Sequence, residues 1–233
     1  MERNADSRPG SSINLNNVAI NFPAGNYYIA GGDNNGCPGF CAQGGKSNIT
    51  SDPISGVTFY LMKNDGSGSR GWTTNPPTLY WATVSISGMG STGTLALCAP
   101  GTNSGTVSAG LGHYCGTGAD ANGNPSCTGS CMLFVQDPAA TGLNGESSAQ
   151  GTATTTINAF SGNANTTLSG LVYIPKQTFQ TQGNTAILGC FGLIAKYVDV
   201  GGTPSFANGC LPGDGIGGGT TTTVSFSNPY LSQ

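Results

Sequence analysis

From residue 157 onward the chain runs through short stretches rich in Val, Ile, Thr, Tyr and Phe. Turn marks follow at Gly162, Gly183 and Gly202, which are 21 and 19 residues apart. Two of these lines look alike: GLVYIP from Gly170 and GLIAKYV from Gly192, with Leu171 and Leu193 22 residues apart. A repeat of roughly 20 residues suits a stack, each repeat supplying short strands and turns and lying on the next at about 4.8 Å. Neither line shows the clean apolar and polar alternation of a one-sided antiparallel strand. Gly162 and Asn163 suit a backbone position of positive φ. These features predict an all-β right-handed parallel β-helix, a solenoid in which Leu171 stacks near Leu193 on neighbouring rungs. The alternative is an antiparallel β-sandwich with its Gly-Asn pairs as hairpin turns. That fold needs matching strands around each pair, and NANTT, wholly polar before Leu168, is a poor second strand.

The rest of the chain follows the same pattern. Charged residues are only 7% of it, far below the roughly 25% usual in soluble domains. No window carries a sustained apolar stripe at helical spacing. Expected strands lie in INLNNVAINF, Tyr27 to Ile29, GVTFYLM, TLYWATVSISG, TLALCAP, CMLFVQDP and TTTINAF, while CPGFCAQGGKSN reads as a stapled loop. Residues 1–12 are polar and expected to be disordered, residues 13–226 form a single domain, and 227–233 are a tail. Within the domain, residues 101–130 are mostly Gly, Ser, Thr and Asn with two cysteines, Cys115 and Cys127, which reads as a disulfide-tied insertion.

Eight cysteines form an even set: Cys37, Cys41, Cys98, Cys115, Cys127, Cys131, Cys190 and Cys210. Two pairs have C-x3-C spacing. Zinc is the rival reading, but zinc pairs more often have two-residue spacing. Low charge and an even count favour disulfides in an oxidising compartment. Eight cysteines allow 105 connectivities. Proximity in sequence selects Cys37–Cys41, Cys98–Cys115, Cys127–Cys131 and Cys190–Cys210.

Seven basic residues are scattered, so no cluster exists to neutralise a phosphate backbone, and nucleic acid is not an expected partner. No apolar run approaches the roughly 18 residues of a membrane span. The opening MERNADSRPG lacks the apolar segment of a signal peptide.

GVTFYL, LFVQDP, INAFSGNANTTLSGLVYIPKQTFQTQGN, CFGLIAKYVDVGG and Cys210, together with PAGNYYIAGG from Pro23 to Gly32, carry a family resemblance. This succession resembles the extracellular region of TadG-like proteins of the bacterial tight-adherence (Tad/Flp) pilus-assembly group. The match covers most of residues 18–210 and is weakest in the Cys-rich insertion. It implies a β-helical domain exposed at the cell envelope or secreted, with pilus components as partners. It implies no catalytic residues. In the family this region follows a membrane-anchoring helix, a feature that does not carry over to the present sequence.

Catalytic signals are sparse. His113 is the single histidine, so a histidine metal cluster is excluded; beside Tyr114 and Cys115 it reads as a loop residue. β-Helices often host polysaccharide-cleaving enzymes, which need two carboxyls about 5 to 9.5 Å apart. Asp137, after Phe134-Val135-Gln136, is the one weak catalytic candidate, although Asp-Pro is also a good turn starter. Trp72, Tyr80 and Trp81 flank TTNPPTL and offer aromatic faces for sugar stacking, against a plainer role in the core or at a rung end. The uncapped ends of a solenoid offer self-association, and TTTTVSFSNPY suits a cap or a donated strand. The sequence therefore points to a non-catalytic extracellular surface or pilus-associated structural and adhesive protein with a glycan or surface ligand and no cofactor or metal. The alternative is a carbohydrate-active β-helix enzyme or a carbohydrate-binding module.

Overall fold

In the computed structural model the described residues are 12–30, 37, 39–52, 56–62, 82–89, 92–100, 131–136, 157–161, 165–189 and 191–208. They form fourteen strands and no helix. These are β1 (Ile13–Asn16), β2 (Ala19–Phe22), β3 (Gly25–Ala30), β4 (Gly39–Gln43), β5 (Asn48–Ser51), β6 (Val57–Met62) and β7 (Thr83–Ser87). Then come β8 (Thr94–Cys98), β9 (Met132–Gln136), β10 (Ile157–Ser161), β11 (Asn165–Gln182), β12 (Ala186–Gly189), β13 (Phe191–Val200) and β14 (Ser205–Asn208).

Every pairing among these strands is parallel, and together they make one curled sheet. Early in the chain each strand pairs with the third strand after it. Ladder one is β1, β4, β7, β10, Thr178–Gln182 of β11 and Tyr197–Val200 of β13. Ladder two is β2, β5, β8, the start of β11, β12 and β14. Ladder three is β3, β6, β9, the middle of β11 and the start of β13. The antiparallel sandwich is thereby overturned among the described strands. The glycine turns do not fold a strand back on itself: Gly183 links the ladder-one part of β11 to β12 in ladder two.

Registers place one column of turn residues at that corner. Asn17, Gly44, Gly88 and Gly183 follow the last residue of their strands, Gly202 stacks on Gly183 two residues after Val200, and each has positive φ, from 53° to 87°. At Gly202 (φ 85°) a Cβ atom would lie 2.5 Å from the carbonyl oxygen of Gly183, so stacking of one turn on the next excludes a side chain there.

The interior is built from columns of inward residues. Phe22, Phe40, Phe59 and Phe134, contributed by all three ladders, form a ring cluster with centroids 5.0 to 6.2 Å apart. Phe160 and Phe179 form a second contact at 4.9 Å. Each fully buried side chain of this size contributes roughly 1.5–3 kcal/mol through removal from water.

Three local expectations are corrected. Leu171 pairs with Gly192, and Leu193 pairs with Val172, so the two similar lines are neighbours at an offset of 21 rather than 22. The inward positions decide this: Val172 and Ile174 are buried, while Leu171 and Tyr173 are half-buried, an alternation the residue types conceal. CPGFCAQGGKSN is not simply a loop, because Gly39–Gln43 is β4, with Phe40 and Ala42 buried. NANTT is not a poor strand either: β11 starts at Asn165, with Thr166 and Leu168 buried.

Candidate functional site

Trp72, Tyr80, Trp81, Asp137 and His113 lie outside the described residues. The nearest described residues are close together: Leu61 pairs with Gln136, and the amide of Ala82 donates to the carbonyl of Met62 at 3.0 Å. The chain therefore leaves β6 and β9 at neighbouring points on one edge of the sheet. Cys37 and Cys41 form the expected disulfide, with Cα atoms 5.8 Å apart and both side chains buried. Cys98 and Cys131 each take part in a disulfide as well. The other expected pairings end on Cys115, Cys127, Cys190 and Cys210, which are outside the described residues.

Behind that edge lies a buried amide network between ladders three and one. Asn158, Gln177 and Gln136 are fully buried. Asn158 Nδ2 donates to Gln177 Oε1 (2.9 Å) and to the carbonyl of Thr178 (3.2 Å), while its Oδ1 accepts from the amide of Val84 (2.9 Å). Gln177 Nε2 donates to the carbonyl of Ala82 (3.2 Å), and Gln136 Oε1 accepts from the amide of Lys176 (2.9 Å). These amides bond backbone groups at a corner where the ladder hydrogen bonds are interrupted: the register between β11 and β13 shifts between Ile174 and Thr178. The network is structural and holds the edge from which the chain departs.

The outer face of ladder three carries a different feature. Registers align Tyr28 with Tyr60, Tyr60 with Val135, Val135 with Tyr173, and Tyr173 with Ile194. Tyr28 is 49% exposed, and its ring stacks on that of Tyr60 with centroids 5.0 Å apart and planes at 14°. Tyr60 and Tyr173 are half-buried, Val135 is nearly covered, and Ile194 is exposed. The strand segments of this ladder read GNYYIA, VTFYLM, MLFVQ, GLVYI and FGLIA; none contains a charged residue. Neighbouring Tyr27 points the other way, against Phe22 and Phe59, and its hydroxyl donates to the carbonyl of Pro23 at 2.7 Å. Loss of solvent around it holds the Tyr27 hydroxyl above the ordinary tyrosine value.

Sequence reasoning placed binding on Trp72, Tyr80 and Trp81 and passed over this column. Its signal was a tyrosine followed by Ile or Leu at Tyr28, Tyr60 and Tyr173. Charged side chains of β13 appear instead beyond Ala195: Lys196 at the corner lies 5.4 Å from the Tyr197 ring centroid, and Asp199 on the ladder-one part accepts from Gln180 Nε2 at 2.6 Å. Among the described residues there is no group of three or more His, Cys, Asp or Glu placed to hold a metal ion, and no helix long and apolar enough to cross a membrane.

The chain matches no protein-family model, no curated protein and no solved structure.

Proposed function

We propose that this chain is a non-catalytic extracellular surface or pilus-associated protein whose curled sheet winds as a right-handed parallel β-helix. Its mechanism is mechanical and adhesive: a stiff stack holds an outer face in fixed geometry and presents it to a surface ligand. The observation that carries this reading is ladder three, five parallel strand segments without a charge and with aligned tyrosines on the outside. An uncharged aromatic face on a rigid sheet gives contact area with little ordering cost on binding. The disulfides fit an oxidising compartment. The resemblance to TadG-like proteins supports the pilus association.

Attachment of protein-coated beads to cell surfaces and to immobilised glycans tests the reading. Beads carrying the native chain are expected to be retained well above beads carrying the reduced, unfolded chain. Equal retention would overturn it. So would release of reducing sugar from a polysaccharide that is abolished by Asp137→Asn, because that result assigns the chain to catalysis.

A further inference from the structure

We infer that the outer column of Tyr28, Tyr60 and Tyr173 is a docking face for a neutral polysaccharide chain running along the stack. This rests on the adhesive reading and names the ligand class. Three observations converge. First, the rings stand outside a core that is already filled: the residues beside them in the same strands, Ile29, Phe59, Leu61, Val172 and Ile174, are buried and carry the packing. Second, the positions of the column repeat at the strand spacing of roughly 4.8 Å, close to the rise of one sugar in an extended β-linked chain; tyrosines occupy the first, second and fourth positions, with Val135 at the third and Ile194 at the fifth. Third, the charge pattern selects among partners. An acidic glycan or a nucleic acid needs Lys or Arg, and ladder three supplies none from Gly25 to Ala30, from Val57 to Met62 or from Phe191 to Ala195. Uncharged tyrosines beside exposed Asn26 match a ligand of C–H faces and hydroxyls.

The test is retention of the purified full chain on insoluble neutral polysaccharides (cellulose, chitin) and on a polyuronate gel. The variants are Tyr28→Ala, Tyr60→Ala and the double variant, with Tyr197→Ala as a control for an exposed tyrosine on ladder one. Circular dichroism and thermal melting establish that each variant is folded. If Tyr60→Ala fails to fold, Tyr28→Ala alone decides, because Tyr28 is the more exposed ring. The expected result is binding to a neutral polysaccharide that weakens roughly tenfold or more in the Tyr28 and double variants and is unchanged in Tyr197→Ala. Preference for the polyuronate, or neutral-polysaccharide binding indifferent to Tyr28, overturns this inference while leaving the adhesive reading in place. Bead attachment to cells without retention on any neutral polysaccharide does the same. Absence of both attachment and retention overturns both.

Discussion

Asn158 Nδ2 donates to Gln177 Oε1 across 2.9 Å, and both side chains are fully buried. Burying these two amides is tolerable because the oxygen and nitrogen of each side chain find a partner. Asn158 bonds Val84, Gln177 and Thr178, and Gln177 reaches Ala82. Asn158→Leu keeps the branched outline of the side chain but leaves the amide of Val84 and the oxygen of Gln177 without their partner. The expected loss is about 3 kcal/mol, read as a lower midpoint in chemical denaturation with an unchanged slope. Asn158→Leu combined with Gln177→Leu is expected to recover part of that loss.

Phe59 contacts Phe22, Phe40 and Phe134, so it joins the ladders at the centre of the ring cluster. Phe59→Ala opens a cavity that parallel strands, tied by hydrogen bonds on both sides, cannot close by moving inward. A loss of about 3–5 kcal/mol is expected. Tyr28→Ala, on the outside of the same ladder, is expected to cost about 1 kcal/mol, the scale of one aromatic pair. Melting curves of the two variants separate core from surface; equal losses would contradict the assignment of their faces.

Gly202 combines positive φ with a blocked Cβ position against the carbonyl of Gly183. Gly202→Ala is therefore strained twice over and is expected to destabilise by about 1–3 kcal/mol. Its effect is local. Hydrogen exchange should quicken at the amide of Thr203, which donates to Gly183, before it quickens at β7 or β10.

Tyr27 gives a pH signature. Its folded hydroxyl is held above the ordinary tyrosine value by desolvation, so the unfolded chain ionises first as pH rises. The stability contributed is fully present below the ordinary tyrosine range and is lost as pH rises through that range to the folded value. Denaturation midpoints followed upward from neutral pH are expected to fall in the alkaline range. Tyr27→Phe should flatten part of that slope.

Much of the strand content was legible along the chain. The runs around Val57–Met62, Thr83–Ser87, Thr94–Cys98 and Met132–Gln136 appear as strands, because β-branched and aromatic residues bounded by Gly and Pro leave few other options. The glycine marks at Gly183 and Gly202 were also legible, since positive φ excludes most other residues. Polar strands were not: Asn165-Thr166-Thr167 has no apolar residue and Gln177–Gln182 has only Phe179, and both become strands because ladders on either side supply hydrogen-bond partners.

By itself, then, the sequence determined an all-β chain with a low-charge surface, repeated turn marks and a disulfide at Cys37–Cys41, because local propensity, composition and short separation suffice for these. Only the tertiary structure decided which residues stack. A shift of one residue turns Leu171 from a partner of Leu193 into a partner of Gly192, and with period-two strands such a shift exchanges inside for outside. The same registers bring Tyr28, Tyr60 and Tyr173, scattered over 145 residues of sequence, into one outward column. That alignment exists only between strands, which is why no single stretch of the chain announced it.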